Sequence, residues 1–289
     1  MEPIEISFGG YKGPASIHAA AARAVGASLE RALGDRVRFD LEPDVMARGH
    51  KAGDLLPMTE SGELTCCYIA SIRFSKIIPE FQLFELPFLF ENREEIYQAL
   101  DGGLGEVLKQ RMHAETPYRV LGIWDNGVRH ITTNVRPVRT PGDCKGLRIR
   151  IQLSEFLENA FRALGFIPCA MDIKEFLDKA ASNEVDAQEN PLAVIRDFKI
   201  QDHHTYITLT GHIFGIVLVL CNARIFDTWP DDVKKAVLRA AEEATRLQRQ
   251  LAAAEDEGVL AELDNGNTQI IRLSATELAA FKAATAPLI

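Results

Sequence analysis

The feature that most constrains this chain is an alternation of strand and helix patterns that begins almost at once. Ile4, Ile6 and Phe8 alternate with Glu5 and Ser7, the period of a half-buried strand. Gly9-Gly10-Tyr11-Lys12-Gly13-Pro14 breaks it, and Ser16 is placed to cap an Ala-rich helix running through Val25 and Leu29 to Leu33, with Gly34 as its stop. Val37, Phe39 and Leu41 then alternate with Arg38 and Asp40. Strand, helix and strand in so short a span predict a βαβ unit with a right-handed crossover and a parallel pair.

The alternation continues. The pattern predicts a helix over 52–61, a strand over 64–69, a helix over 93–112 and a strand over 118–124. Phe84 to Phe90 is apolar but carries Pro87, so it reads as an extended segment and not a central strand. Asp125-Asn126-Gly127 reads as a turn, followed by a short extended stretch to Thr133 and a loop over 136–143. Leu147, Ile149 and Ile151 alternate with Arg148, Arg150 and Gln152, which makes a strand with a polar face. Ser154 caps a helix to about Leu164, a second helix covers 175–181, and Ile216 to Leu220 is a buried strand. Behind Pro230-Asp231-Asp232 a long helical pattern runs to about Leu263. Asp264-Asn265-Gly266-Asn267 reads as a turn, Gln269 to Leu273 as a strand, and Ser274-Ala275-Thr276-Glu277 as a capping box opening a last helix. There is no internal repeat and no linker. An α/β chain without a clean boundary fits two lobes between which the chain crosses several times, with ligands bound in the cleft.

Composition narrows the partners. Over 289 residues, 32 Lys+Arg stand against 41 Asp+Glu, a net charge of -9, which argues against a nucleic-acid binder whose affinity comes from neutralising phosphates. A small anion remains compatible, because one or two buried arginines override the global sign locally. No apolar run approaches the roughly 20 residues of a membrane helix. The sequence opens Met1-Glu2-Pro3-Ile4, with neither the basic nor the apolar region of a signal peptide, so none is expected in the sequence as given. The five cysteines, Cys66, Cys67, Cys144, Cys169 and Cys221, form no CxxC and read as small buried hydrophobes.

Enzyme motifs are absent from the sequence. Gly9 to Gly13 completes neither a phosphate loop nor a dinucleotide turn, no Gly-x-Ser-x-Gly elbow occurs, and no His-Glu-x-x-His occurs. His203 and His204 are adjacent, cannot share a helix face as zinc ligands, and read as surface-loop residues. The arginines are more informative. Arg150, on a strand whose same-face neighbours are Arg148 and Gln152, could present a planar, permanently charged donor fork to a carboxylate. Arg129 follows the predicted turn. With Asn190, in Asp186-Ala187-Gln188-Glu189-Asn190-Pro191, the two would make an anion site with a hydrogen-bonding rim.

Several stretches together resemble one family. They are Asp125-Asn126-Gly127-Val128-Arg129-His130-Ile131-Thr132-Thr133-Asn134, Arg136-Pro137, Lys145-Gly146-Leu147-Arg148-Ile149-Arg150, Ala163-Leu164-Gly165-Phe166-Ile167-Pro168, the segment 186–191, Thr210-Gly211-His212 and Trp229-Pro230-Asp231-Asp232. In this order they resemble the solute-binding proteins of tripartite ATP-independent periplasmic (TRAP) transporters, the dicarboxylate-binding-protein-like family. The resemblance implies a two-lobed periplasmic-binding-protein-like α/β fold with crossover strands, a ligand cleft between the lobes and a long back helix. The first lobe would comprise 1–126 plus 216–253, the second 127–215 plus 254–289. It implies a monomeric, periplasmic protein that takes no cofactor or metal and carries out no catalysis. It would close on a small organic acid and deliver it to membrane permease subunits. The carboxylate-clamping arginine falls on Arg150, a second on Arg129, and the cleft asparagine on Asn190, beside Glu189. His212 matches a histidine near the crossover. The loop from Tyr11 and Lys12 to His18, the strand end from Tyr68 to Ser71, and Ile173 match places where the family meets its ligand.

Two departures matter. Met171-Asp172-Ile173 stands where many sialic-acid and ectoine binders carry an aromatic side chain, and Ala70 stands where sialic-acid binders place a carboxylate. The first argues against aromatic stacking on the ligand there; the second speaks against sialic acid itself and for a smaller acid, such as a sugar acid or hydroxy acid, or one of different polarity. The competing readings are a cytosolic α/β enzyme on a carboxylate substrate, with His212 or Glu189 as acid–base, and a ligand-sensing module.

Overall fold

The computed structural model of the chain describes residues 2–182, 184–264 and 267–288. It divides into two compact units. The first contains Met1–Ser71, Glu94–Asp125 and Ile216–Ala253; the second contains Ile72–Arg93, Asn126–Gly215 and Ala254–Ile289. Among the described residues nine strands are formed: β1 (Ile4–Gly9), β2 (Val37–Glu42), β3 (Cys66–Ala70), β4 (Tyr118–Thr133), β5 (Arg148–Ile151), β6 (Ile167–Ala170), β7 (Ala187–Pro191), β8 (Tyr206–Asn222) and β9 (Gln269–Ile271). β4 and β8 are long enough to contribute to both units.

In the first unit, β1 pairs in parallel with β2, Ile4 opposite Val37, and with β3, Phe8 opposite Cys66; β3 pairs antiparallel with the end of β8. The helix Ile17–Leu33 makes the crossover. Ser16 caps it by accepting from the Ala19 amide, and the Gly34 amide closes it on the Glu30 carbonyl. The expected βαβ unit is therefore formed residue by residue. The helix Asp231–Asp264 opens on two acidic residues, which suit its positive end. Val233, Val237, Ala240, Ala244 and Ala252 make its buried stripe. It binds the first half of β4 through side chains: Gln248 exchanges hydrogen bonds with the Asp125 amide (2.8 Å) and carbonyl (2.7 Å), and Trp124 Nε1 donates to Thr245.

In the second unit, β4 pairs antiparallel with β7, β5 pairs in parallel with β7 and β6, and β9 pairs in parallel with the start of β8. Ile131, Ile149, Ile151, Leu157, Phe161, Phe166 and Phe281 form the core beneath it.

Four expectations change. Asp125-Asn126-Gly127 is not a turn: β4 runs unbroken from Tyr118 to Thr133. Local turn chemistry loses to the Gln248 clamp on one side of this stretch and the β7 ladder that follows. Gly127 keeps φ +96 within the strand, and a Cβ there would lie 2.7 Å from Pro191. Gly127→Ala is therefore expected to cost about 1–3 kcal/mol through strain and collision, read as a lower chemical-denaturation midpoint; an unchanged midpoint would remove this account of the glycine. The predicted helix 93–112 is two, Arg93–Asp101 and Gly103–Glu115, broken where Gly102 adopts extended backbone. Residues 72–93, assigned to the first lobe from sequence, pack in the second unit. Arg73 pairs with Asp172 at 2.8 Å, Glu85 accepts from Ser75 and Ser154, and the Phe88 amide donates to the His212 carbonyl at 2.7 Å. His204 is not a surface-loop residue; it is fully buried. The turn expected over 264–267 includes residues 265 and 266, which lie outside the described residues.

Candidate functional site

Two groups of the predicted residues form, one in each unit. In the second unit, β4 and β7 place Arg129, Glu189 and Asn190 side by side, Ile131 opposite Glu189 and His130 opposite Asn190. Arg129 donates through Nε and Nη2 to the Glu189 carboxylate and through Nη2 to the Asn190 Oδ1 at 3.1 Å. His212 Nε2 lies 3.4 Å from Glu189, and its Nδ1 shares a hydrogen bond with the Thr210 hydroxyl. Asn190 Nδ2 donates to Gln188, Gln188 to Thr132, and Thr132 meets His204. All of these side chains are buried.

Arg150 stands apart electrostatically. It is 3% exposed, and Nε and Nη2 both donate to the Met171 carbonyl, at 3.1 and 2.9 Å. Met171 precedes Asp172, the cap of the helix Ile173–Lys179, so the turn into that helix holds the guanidinium in place. Three arginines are buried among the described residues: Arg129, Arg150 and Arg249. Arg129 pairs with Glu189 and Arg249 with Asp101; among the described residues no carboxylate lies within ion-pair distance of Arg150. Its strand neighbour Arg148 is half exposed and neutralised by Asp186 at 2.8 Å. Burial pulls the Arg150 pKa down to about 10, against the attraction of Glu189, so it stays cationic at neutral pH.

Glu189 is ionised as well. Burial would raise its pKa, but Arg129 and His212 outweigh that and hold it at about 2. His212 is pushed down by burial, partly offset by Glu189, and is neutral. Arg129 and Arg150 against Glu189 leave one uncompensated positive charge in a buried polar cluster.

In the first unit, Tyr68 at 0% exposure accepts hydrogen bonds on its hydroxyl from the Tyr11 and Lys12 amides, at 3.2 and 3.1 Å. Its ring lies against Tyr11, His18 and Trp124. Gly10 lets the loop cross that ring, since a Cβ would lie 2.6 Å from it. Lys12 Nζ and His18 Nε2 are 3.4 Å apart. Burial, then Lys12, holds the His18 pKa well below its usual value. Ser71 is buried just past the end of β3, and Ile173 is buried at the start of its helix in the second unit.

Sequence reasoning missed the Met171 carbonyl anchor and the Gln188–Thr132–His204 chain. The first has no side-chain signature. The second could have been found from the period-2 spacing of Gln188 and Asn190 on one strand face.

Burial also holds the His130 pKa at about 3 and that of His204 at about 4. For groups depressed in the folded state, stability is complete above the unfolded value of 6.5 and is lost as pH falls toward the folded values. Each such histidine costs about 2 kcal/mol by pH 5. Glu189 adds its loss only as pH falls below 4.5. Urea midpoints are thus expected to fall between pH 7 and pH 5, before Glu189 titrates; a flat profile over that range would contradict the neutral buried histidines.

Two α/β units sharing strands, one bearing a buried and incompletely neutralised guanidinium, define the class of two-lobed solute-binding proteins. The chain belongs to the family of bacterial extracellular solute-binding proteins, family 7, whose profile matches residues 8–289. It is 29% identical over 242 residues to the 2,3-diketo-L-gulonate-binding periplasmic protein of Escherichia coli, covering 84% of this chain and 73% of that protein. Among solved structures it matches a TRAP periplasmic solute-binding protein from Sulfurospirillum deleyianum with bound succinate (TM-score 0.93, 28% identity, 100% of this chain and 94% of that one). It also matches the sugar acid binding protein from Advenella mimigardefordensis in complex with galactonate (TM-score 0.94, 25% identity, 100% and 92%).

Proposed function

We propose that this chain binds a small organic acid outside the cytoplasm and delivers it to the membrane permease of a TRAP transporter. The observation that carries this is Arg150: a buried guanidinium held by the Met171 carbonyl and lacking a carboxylate partner. A ligand carboxylate supplies the missing charge. Relatives whose names or structures carry 2,3-diketo-L-gulonate, succinate and galactonate support the reading, since each ligand is a carboxylate.

Arg150 is the primary clamp and Arg129 the second donor. Arg129 spends Nε and Nη2 on Glu189 and Asn190, so what it offers the ligand is Nη1. Asn190 uses one Nδ2 proton on Gln188 and has the other for a ligand oxygen. Glu189 and His212 hold Arg129 in position. Tyr11, Lys12, His18 and Ser71 of the first unit are proposed as ligand contacts on the strength of the family resemblance. Tyr68 acts chiefly by holding the Tyr11–Lys12 backbone, and Ile173 supplies an apolar wall. The protein works as a monomer, without nucleic acid and without turnover. A catalytic role for Glu189 is disfavoured by its ion pair, since a carboxylate of pKa about 2 is a weak base.

Melting in the presence of millimolar succinate, galactonate and 2,3-diketo-L-gulonate tests the reading. At least one acid is expected to raise the melting temperature by several degrees, as binding only the folded state requires, and to be recovered chemically unchanged. No shift with any of a wide panel of acids, or conversion of the acid to product, would overturn it.

A further inference from the structure

β3 and the end of β8 are antiparallel neighbours, and the register sets Cys66 directly opposite Cys221. The Asn222 amide donates to the Thr65 carbonyl at 2.9 Å. That makes 65/222 the hydrogen-bonded pair and 66/221 the adjoining non-hydrogen-bonded pair, whose Cα atoms approach to about 4.5 Å with side chains on one face. This is within the span a disulfide bridges. Both residues are buried, at 2% and 0% exposure. The two thiols are near enough that Cys221 is the main influence on the ionisation of Cys66. Cys67 faces the opposite side of β3 and stands opposite Leu220.

We propose that Cys66 and Cys221 are a modification site, joined as a cross-strand disulfide when the chain folds in an oxidising compartment. The proposal rests on the extracytoplasmic reading above, because thiols in a reducing cytosol stay reduced. The oxidant is a disulfide, either a small-molecule one or that of a protein thiol oxidase. A thiolate of the folding chain attacks one oxidant sulfur, forming a mixed disulfide and releasing one thiol. The second cysteine, as thiolate, attacks the protein-bound sulfur, closing the Cys66–Cys221 bond and releasing the second thiol. Two electrons and two protons pass to the oxidant. Exchange belongs to the folding chain: in the finished fold both residues are buried, and the neighbouring Cys221 thiol, then burial, raises the Cys66 pKa, which suppresses the thiolate. The bond closes a loop of 155 residues (221 − 66), so it restricts the unfolded chain strongly.

The test is refolding of the full chain in a glutathione redox buffer, alkylation of free thiols, and peptide mapping without reduction. The expected result is a cross-linked peptide pair containing positions 66 and 221. The link should survive in Cys67→Ser and be lost in Cys66→Ser and Cys221→Ser. The oxidised protein should melt at least about 5 °C above the reduced one. Five alkylated cysteines in the refolded wild type, or a bond using Cys67, Cys144 or Cys169, would overturn the proposal. The wild-type map needs no variant to fold. Acid-induced thermal shifts, measured on the same sample, report separately on the binding function.

Discussion

Arg150→Ala is expected to lower affinity for the organic acid by about 2–5 kcal/mol, the scale for truncating one partner of a buried charge pair, or roughly 30-fold to several thousand-fold in Kd. The same variant should leave the ligand-free protein nearly as stable as the wild type. In that state the guanidinium is buried without a carboxylate, and its pKa has already been drawn down to about 10. Removing an unpaired, desolvated charge offsets the loss of the two bonds to Met171. Arg150→Lys should recover only part of the affinity, because an ammonium lacks the planar fork and cannot hold the Met171 carbonyl while presenting a second edge. Calorimetry on the three proteins, with denaturation of each without ligand, reads both halves. Wild-type affinity in Arg150→Ala would remove the clamp.

Glu189→Gln is expected to do the reverse and damage the fold first. Glu189 is the carboxylate of a buried pair, with Arg129 on one side and His212 on the other. Losing its charge strands the Arg129 guanidinium in the interior, at an expected cost of about 3–5 kcal/mol. The same change removes the neighbouring charge that favours cationic Arg150. Pairing Glu189→Leu with Arg129→Met removes both charges together and should recover much of the stability, while leaving ligand binding impaired. Equal stability of Glu189→Gln and the wild type in denaturant would mean that the pair is not carrying its share. The two variants thus separate two kinds of arginine on the strands that flank β7, one neutralised by the protein and one by the ligand.

That distinction was only half legible in the sequence. Alternation from Ile4 to Phe8 and from Val37 to Leu41, with Ser16 and Gly34 bounding the helix between them, contains the βαβ unit because each signal is local. Alternation also put Arg148 and Arg150 on one strand face. It could not tell them apart, because the difference lies in Asp186, which is distant in sequence and neutralises the first and not the second. Asp125-Asn126-Gly127 failed for the same reason in reverse. Its residues are sound turn formers, but Gln248 on the long helix grips the Asp125 backbone and β7 pairs with the strand that follows. Residues 72–93 were misplaced because Arg73, Ser75 and Glu85 carry no periodic signal. Their partners Asp172 and Ser154 are visible only once the second unit is folded.

The central claim is that a carboxylate completes the charge on Arg150. Calorimetric titration of the wild-type protein with the best-binding acid and with its primary amide, equal in size and shape but uncharged, addresses it directly. The acid should bind at least about 100-fold more tightly than the amide, and Arg150→Ala should abolish most of that difference. An amide that binds as tightly as the acid would contradict it.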